Sequence, residues 1–261
     1  MTIFRHELKQ GRKSFIIWTA SITLLIVVCV FLFPEMKGQM DAVSDMFASM
    51  GSFTAMFGMD QLDFGQYVGY YSIECGNVLG LGGAFFAALL GISALAKEEK
   101  ERTAEYLLTH PVSRFRIITE KLLSVMFQIL VMNLIIWLSV IASTAAIGET
   151  IPWKELNLIH LAFLLMQFEL AGICFGISAF LSRGGLGLVL GIAILSYFVN
   201  LISNITESAA TLKYITPFSY TEGADIVTNG KLDTTYVLIG MAIMVIAVAA
   251  GYWKYNKKDI K

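Results

Sequence analysis

The sequence predicts an all-α integral membrane protein: six transmembrane helices, both termini in the cytoplasm, an N-terminal in-plane amphipathic helix, and a helical cytoplasmic connection between spans two and three. Three observations predict it. Of 261 residues, 56% are hydrophobic and 15% charged, where soluble domains run near about 45–50% apolar and about 25% charged. The excess apolar residues come in uninterrupted blocks of bilayer-crossing length, roughly 20 residues. The basic residues gather on alternate connections between those blocks. This pattern excludes a secreted mini-protein, a disordered chain and a typical cytosolic enzyme. A net charge of −1 supplies no overall field toward nucleic acid. Cys29, Cys75 and Cys174 lie in apolar surroundings without a CxxC, so neither zinc nor a disulfide framework is indicated.

The first span is Phe15–Phe33, which carries no charge. It is too long for a signal-peptide core, and Pro34-Glu35 follows instead of a small-residue cleavage site. The remaining spans run from about Gly76 to Ala96, Leu122 to Ile147, Leu158 to Leu181, Leu186 to Ser203 and Tyr236 to Trp253. The whole chain, 1–261, reads as one transmembrane domain. An even number of spans puts both ends on one side. That side holds Arg5, Lys9, Arg12 and Lys13; Lys97, Lys100, Arg102, Arg114, Arg116 and Lys121; Arg183; and Lys254, Lys257, Lys258 and Lys261. The other side keeps Lys37, Lys154, Lys213 and Lys231. The imbalance places the first side in the cytoplasm of a multi-pass cell-membrane protein.

In the N-terminal stretch, Arg5, Lys9, Arg12 and Lys13 share one helical face and Ile3, Phe4 and Leu8 another. Such a helix suits the anionic inner leaflet, although a plain basic anchor gives the same pattern. In segment 40–59, Val43, Met46, Phe47, Met50, Phe53 and Phe57 recur at helical spacing. They make either an amphipathic helix on the outer surface or a cap over the outer helix ends. Pro217, Gly223 and Gly230 break the connection from Asn204 to Thr235 into short pieces.

The connection from Lys97 to Lys121 is the most informative stretch. Charges crowd its first half, in Lys97, Glu98, Glu99, Lys100, Glu101, Arg102 and Glu105, around Thr103. Tyr106, Leu107 and Leu108 then stand outside any span. Pro111 stops that helix, and after Val112 the hydroxyl of Ser113 can cap a new one running from Arg114 into span three. Apolar residues rimmed by charge suit a docking surface; leucines packed on the chain's own spans are the alternative.

The stretch EEKERTAEYLLTHPVSRFRIITEKLL resembles the region after the second span of ABC-2-type permeases, the membrane subunits of ATP-binding-cassette exporters. The matching features are Glu98–Glu99, Thr103 with Glu105, Leu107–Leu108, Pro111–Arg114 and Lys121–Leu123. Arg102 stands where the family usually has glycine. The resemblance implies that this connection is a coupling helix seated in a cleft of a separate ATPase subunit, present in two copies. It also implies a second permease copy or homologue, with ATP and Mg held by the partner subunit and no cofactor on this chain. No G-x-x-x-x-G-K-[ST] loop occurs in the sequence, so an ATP-driven pump needs its engine elsewhere.

Within the spans, Glu169 stands near the middle of span four. An ionised side chain there costs roughly 2.5–3.5 kcal/mol, so a partner, a wet cavity or protonation is expected. Gln167, Gln128 and Asn133 are candidate partners. Glu169 either faces a translocation path or ties helices together. Gly76/Gly80, Gly172/Gly176 and Gly187/Gly191 each make a G-x-x-x-G step, marking packing within the bundle or a dimer seam. His6, His110 and His160 have no HExxH or carboxylate at ligand spacing, so neither a metal site nor catalytic residues are assigned. The expected function is thus the membrane subunit of an exporter moving a peptide, antibiotic, ion or lipid-like cargo. A secondary transporter, or an intramembrane enzyme using Glu169, is the alternative.

Overall fold

The computed structural model describes residues 2–39, 51, 54, 57–59, 61–101, 112–181, 185–205 and 207–257. Among the described residues every regular element is helical. We label them α1 (Thr2–Gly38), α2 (a turn Tyr67–Tyr70, a π-turn Tyr71–Cys75 and the long segment Gly76–Glu101), α3 (Arg114–Ala146), α4 (Trp153–Ser178) and α5 (Leu186–Ile205). A 3-10 segment Glu207–Tyr214, the short α6 (Gly223–Asn229) and α7 (Thr234–Lys257) complete the chain. Six of these helices, α1 to α5 and α7, are long and apolar enough to cross a membrane.

The spans pack around α4. Of the apolar windows, 67% of α4 and 61% of α2 are buried, against 11% of α7. The glycines explain the order. On α2, Gly76 and Gly80 lie against the Phe163 ring, Gly83 against Gln167, and Gly91 against the Ala171 carbonyl and Cys174. One smooth face of α2 therefore accepts successive turns of α4. On the other side of α4, Gly172 receives Met244, and Gly176 meets the backbone of Ala247 and Gly251. Small residues let helices approach where lipid removes the hydrophobic drive between them. The Gly76/Gly80 and Gly172/Gly176 steps are thus packing seams within the bundle. Gly187 and Gly191 face open space, so among the described residues that step makes no packing seam. Ile17, Leu24 and Leu25 of α1 and Val245 and Ile246 of α7 are exposed, as expected of helices bathed in hydrocarbon.

The start of α1 and the end of α7 gather at one end of the bundle. The backbone N–H groups of Ile3 and Phe4 reach Glu120 near the start of α3, and Arg114 reaches the carbonyls of Tyr255 and Asn256 at the end of α7. At the opposite end, Lys37 pairs with Glu149 at 2.8 Å, tying α1 to the turn after α3. Lys213 lies 3.8 Å from Asp225, and Lys154 lies against Gly230. The four lysines assigned to the minority side thus belong to this opposite end.

Two expectations need correction. The N-terminal stretch is not a separate in-plane helix: α1 runs unbroken from Thr2 to Gly38. At 1.5 Å per residue its 37 residues span about 55 Å, well beyond a hydrocarbon core of roughly 30 Å. Two-faced patterning in the first turns reflects docking on α3, which anchors Ile3 and Phe4, and no proline interrupts the helix before Pro34. Span two begins at Tyr67, nine positions before Gly76. Its early turns are tyrosine-rich and read as loop by hydropathy, yet each hydroxyl is bonded within the protein. Tyr67 meets Thr144 Oγ1 at 2.6 Å, Tyr70 donates to the Cys29 carbonyl at 2.9 Å, and Tyr71 meets His160 Nε2 at 2.7 Å. The other spans differ from the expected bounds by a few residues at most ends; α3 starts eight earlier, at Arg114, because Ser113 caps it.

Candidate functional site

The first site is the knot at the start of α3. Ser113 Oγ accepts the Arg116 N–H at 3.3 Å and starts the helix. From there α3 presents side chains to both ends of the chain. Glu120 accepts the N–H groups of Ile3 and Phe4 at 3.0 and 3.1 Å through one carboxylate oxygen. Its other oxygen accepts from Arg116 Nε at 2.9 Å. A carboxylate here meets the positive end of the α1 dipole and satisfies N–H groups that lack intrahelical partners. Arg114 donates to the carbonyls of Tyr255 and Asn256, both at 3.2 Å, which satisfies the last turn of α7 in the same manner. Thr119 Oγ1 meets Tyr252 Oη at 2.9 Å, and the Phe115 ring lies 5.3 Å from that of Tyr252. Lys121 is 1% exposed and pairs with Glu7 of α1 at 2.6 Å. Opposite charges at such distance are a stiff link, because separating them leaves a charge stranded out of water.

Of the residues expected to form the docking connection, Ser113 and Arg114 belong to this knot and Val112 precedes it. Arg102, Thr103, Glu105, Tyr106, Leu107, Leu108 and Pro111 lie outside the described residues, as do the side chains of Glu98 and Glu99. Most of the amphipathic segment 40–59 also lies outside them.

The second site is a pair of polar clusters in mid-bundle. Gln167 Oε1 accepts from Asn133 Nδ2 at 2.7 Å, joining α4 to α3, with Gly83 of α2 beneath it. Asn133 also donates to the Ile129 carbonyl at 2.9 Å. Glu169, 2% exposed, accepts instead from Tyr220 Oη at 2.7 Å and lies against Gly240 of α7. Two residues apart on a helix, Gln167 and Glu169 face opposite ways. Gln128 donates to the Ser124 carbonyl at 3.2 Å and lies against Gly11 of α1. The four polar residues therefore do not gather into one centre, and neither Gln167, Gln128 nor Asn133 partners Glu169. Its partner comes from the segment between α5 and α6, which hydropathy alone left as loop. Among the described residues, Gln128 Oε1, Asn133 Oδ1 and Gln167 Nε2 have no hydrogen-bond partner.

Sequence reasoning missed Glu7, Glu120 and Tyr220. Glu7 had a visible signal, as a single acid within the basic N-terminal run. It also missed Asn200 and Asn204, amides in an otherwise apolar span. Among the described residues no group of His, Cys, Asp and Glu could hold a metal.

The family model described as ABC-2 family transporter protein matches residues 1–260. A search of curated proteins finds no match to the chain.

Proposed function

Since the chain belongs to the ABC-2 transporter family, and is accordingly a multi-pass membrane protein, we propose that it is the permease subunit of an ATP-driven exporter in the cell membrane. A separate ATPase subunit, in two copies, holds ATP and Mg, and a second permease copy or homologue completes the complex. The termini and the connection between α2 and α3 face the cytoplasm, as the lysine and arginine distribution requires. Tyr106, Leu107 and Leu108 of that connection insert into the ATPase, with Glu98, Glu99, Arg102 and Glu105 at the rim.

The observation that carries this reading is the knot at the start of α3. A docking connection does work only if its displacement is passed on. Here its exit leads directly into a helix that holds the N-terminus of α1 through Glu120, the side of α1 through Lys121, and the C-terminus of α7 through Arg114. Nucleotide-driven closure below the membrane then moves α1, α3 and α7 together, a two-state element biased from another subunit. The cargo is a peptide, antibiotic, ion or lipid-like molecule.

Co-purification of the tagged chain with its ATPase tests the proposal. The unaltered chain retains the ATPase, and Leu107→Asp and Leu108→Asp release it while the permease stays monodisperse. Retention of the ATPase by both variants, with an unchanged transport-linked hydrolysis rate, contradicts the docking assignment.

A further inference from the structure

At the opposite end of the bundle from the start of α1, the helices α2, α4, α5 and the segment before α6 enclose a recess that the exporter reading leaves unused. Its walls include the rings of Phe163, Tyr197 and Phe218. Its polar lining is Ser72, Asn77, Asn200, Thr221 and Glu222. Ser72 belongs to the π-turn of α2, a feature often found at functional sites. Gly223, at the start of α6, lies hard against Ser72, which brings Glu222 to the recess.

The hydroxyl protons of the lining are already spent within the chain. Ser72 spends its hydroxyl proton on the Gly69 carbonyl at 2.9 Å, and Thr221 spends its own on the Phe218 carbonyl at 2.8 Å. Among the described residues, Asn77 Oδ1 accepts only from Tyr197 Oη, at 3.2 Å. Asn200 donates to Glu222, and its Oδ1, in a residue 4% exposed, has no partner among the described residues. Glu222 receives the amides of Asn200 and of Asn204, the latter at 2.8 Å. Among the described residues it makes no ion pair, since Lys213 lies instead against Asp225. Burial pushes the Glu222 carboxyl above its ordinary range, against the two amide hydrogen bonds and the more distant charge of Lys213, which favour the anion.

A buried acceptor without a donor costs free energy, and so does a desolvated carboxylate without a cation. Both are relieved by a compact cation carrying several N–H donors, and aromatic faces around it add further attraction. We propose that this recess, about 40 Å³ in volume, binds the ammonium head of an alkylammonium ion, with one N–H to Glu222 and others to Asn200 Oδ1 and the neighbouring hydroxyl oxygens. Its place in transport, as a site for an amine-bearing cargo at the exit end, rests on the exporter reading. The binding itself does not.

Equilibrium dialysis of labelled n-butylammonium against the full chain in lipid nanodiscs, without any ATPase, tests it. Saturable binding is expected, indifferent to equimolar sodium. Glu222→Gln, nearly isosteric, weakens it at least about tenfold, since an ion-paired hydrogen bond is replaced by a neutral one. Competition by a short peptide with a free amino terminus, but not by its N-acetylated form, identifies a peptide as the source of the amine; failure of both to compete identifies a small free amine. Absence of saturable binding, equal competition by sodium, or unchanged affinity in Glu222→Gln overturns the assignment. The exporter reading stands or falls separately on ATPase retention.

Discussion

Lys121→Met, which keeps the length of the side chain and removes its charge, probes the link between α1 and α3. Lys121 is 1% exposed and its partner Glu7 15% exposed in the side chain, with 2.6 Å between Nζ and Oε1. Removing one member of a buried pair costs about 3–5 kcal/mol, because the other charge is left out of water. The small opening at Glu7 lets solvent relieve part of that, so the expected loss is at the lower end, about 3 kcal/mol. The assay is equilibrium unfolding in mixed micelles, read by tryptophan fluorescence. Lys121→Met with Glu7→Leu removes both charges and recovers most of the loss, since apolar replacement of a whole buried pair is often near neutral. Lys9→Met, at an exposed position on α1, changes stability by less than about 0.5 kcal/mol. A loss below about 1 kcal/mol in Lys121→Met, or a double variant no better than the single, refutes the argument that this pair is a buried strut.

Three further predictions rest on close contacts. Gly176→Ala puts a methyl into the backbone of Ala247 and costs about 1–3 kcal/mol by overpacking α4 against α7; Gly187→Ala, with nothing within 4 Å, is neutral or stabilising by up to about 1 kcal/mol. Both are read by thermal denaturation in the same detergent. Gly240→Ala drives a methyl into the Glu169 carboxylate and breaks its bond to Tyr220, so adding Tyr220→Phe to that variant causes little further loss of thermal stability, whereas Tyr220→Phe alone is destabilising. Tyr71→Phe strands His160 Nε2 in a site where Nδ1 already lacks a partner; the expected cost is about 1–3 kcal/mol, seen as a lower unfolding midpoint.

The six spans were legible because each carries an apolar stretch long enough to cross a bilayer, and the glycine steps at Gly76/Gly80 and Gly172/Gly176 were legible because close helix approach demands small residues. Boundaries failed where polarity is satisfied internally. Tyr67, Tyr70 and Tyr71 lower the hydropathy of their turns, yet their hydroxyls find partners 77, 41 and 89 residues away. The N-terminal turns showed two faces, but a pattern of faces does not say whether the surface they meet is lipid or protein; for Ile3 and Phe4 the anchor is Glu120, 117 and 116 positions along the chain. Glu169 was legible as a costly residue, but not its partner, because Tyr220 sits in a connection that no periodicity ties to span four. Ser113 could be read as a cap from local sequence alone, since a cap acts within one turn. The character of the recess around Glu222 depends on which hydroxyl protons are already spent, and only the three-dimensional arrangement determines that.

Replacing Tyr106 with a photo-cross-linking phenylalanine analogue, in the permease co-expressed with its ATPase, tests the central claim most directly. The account predicts a covalent adduct between the two subunits on illumination, and none when the same analogue replaces Lys37 at the opposite end of the bundle. An adduct from the Lys37 position but none from Tyr106, in a complex that still hydrolyses ATP, contradicts it.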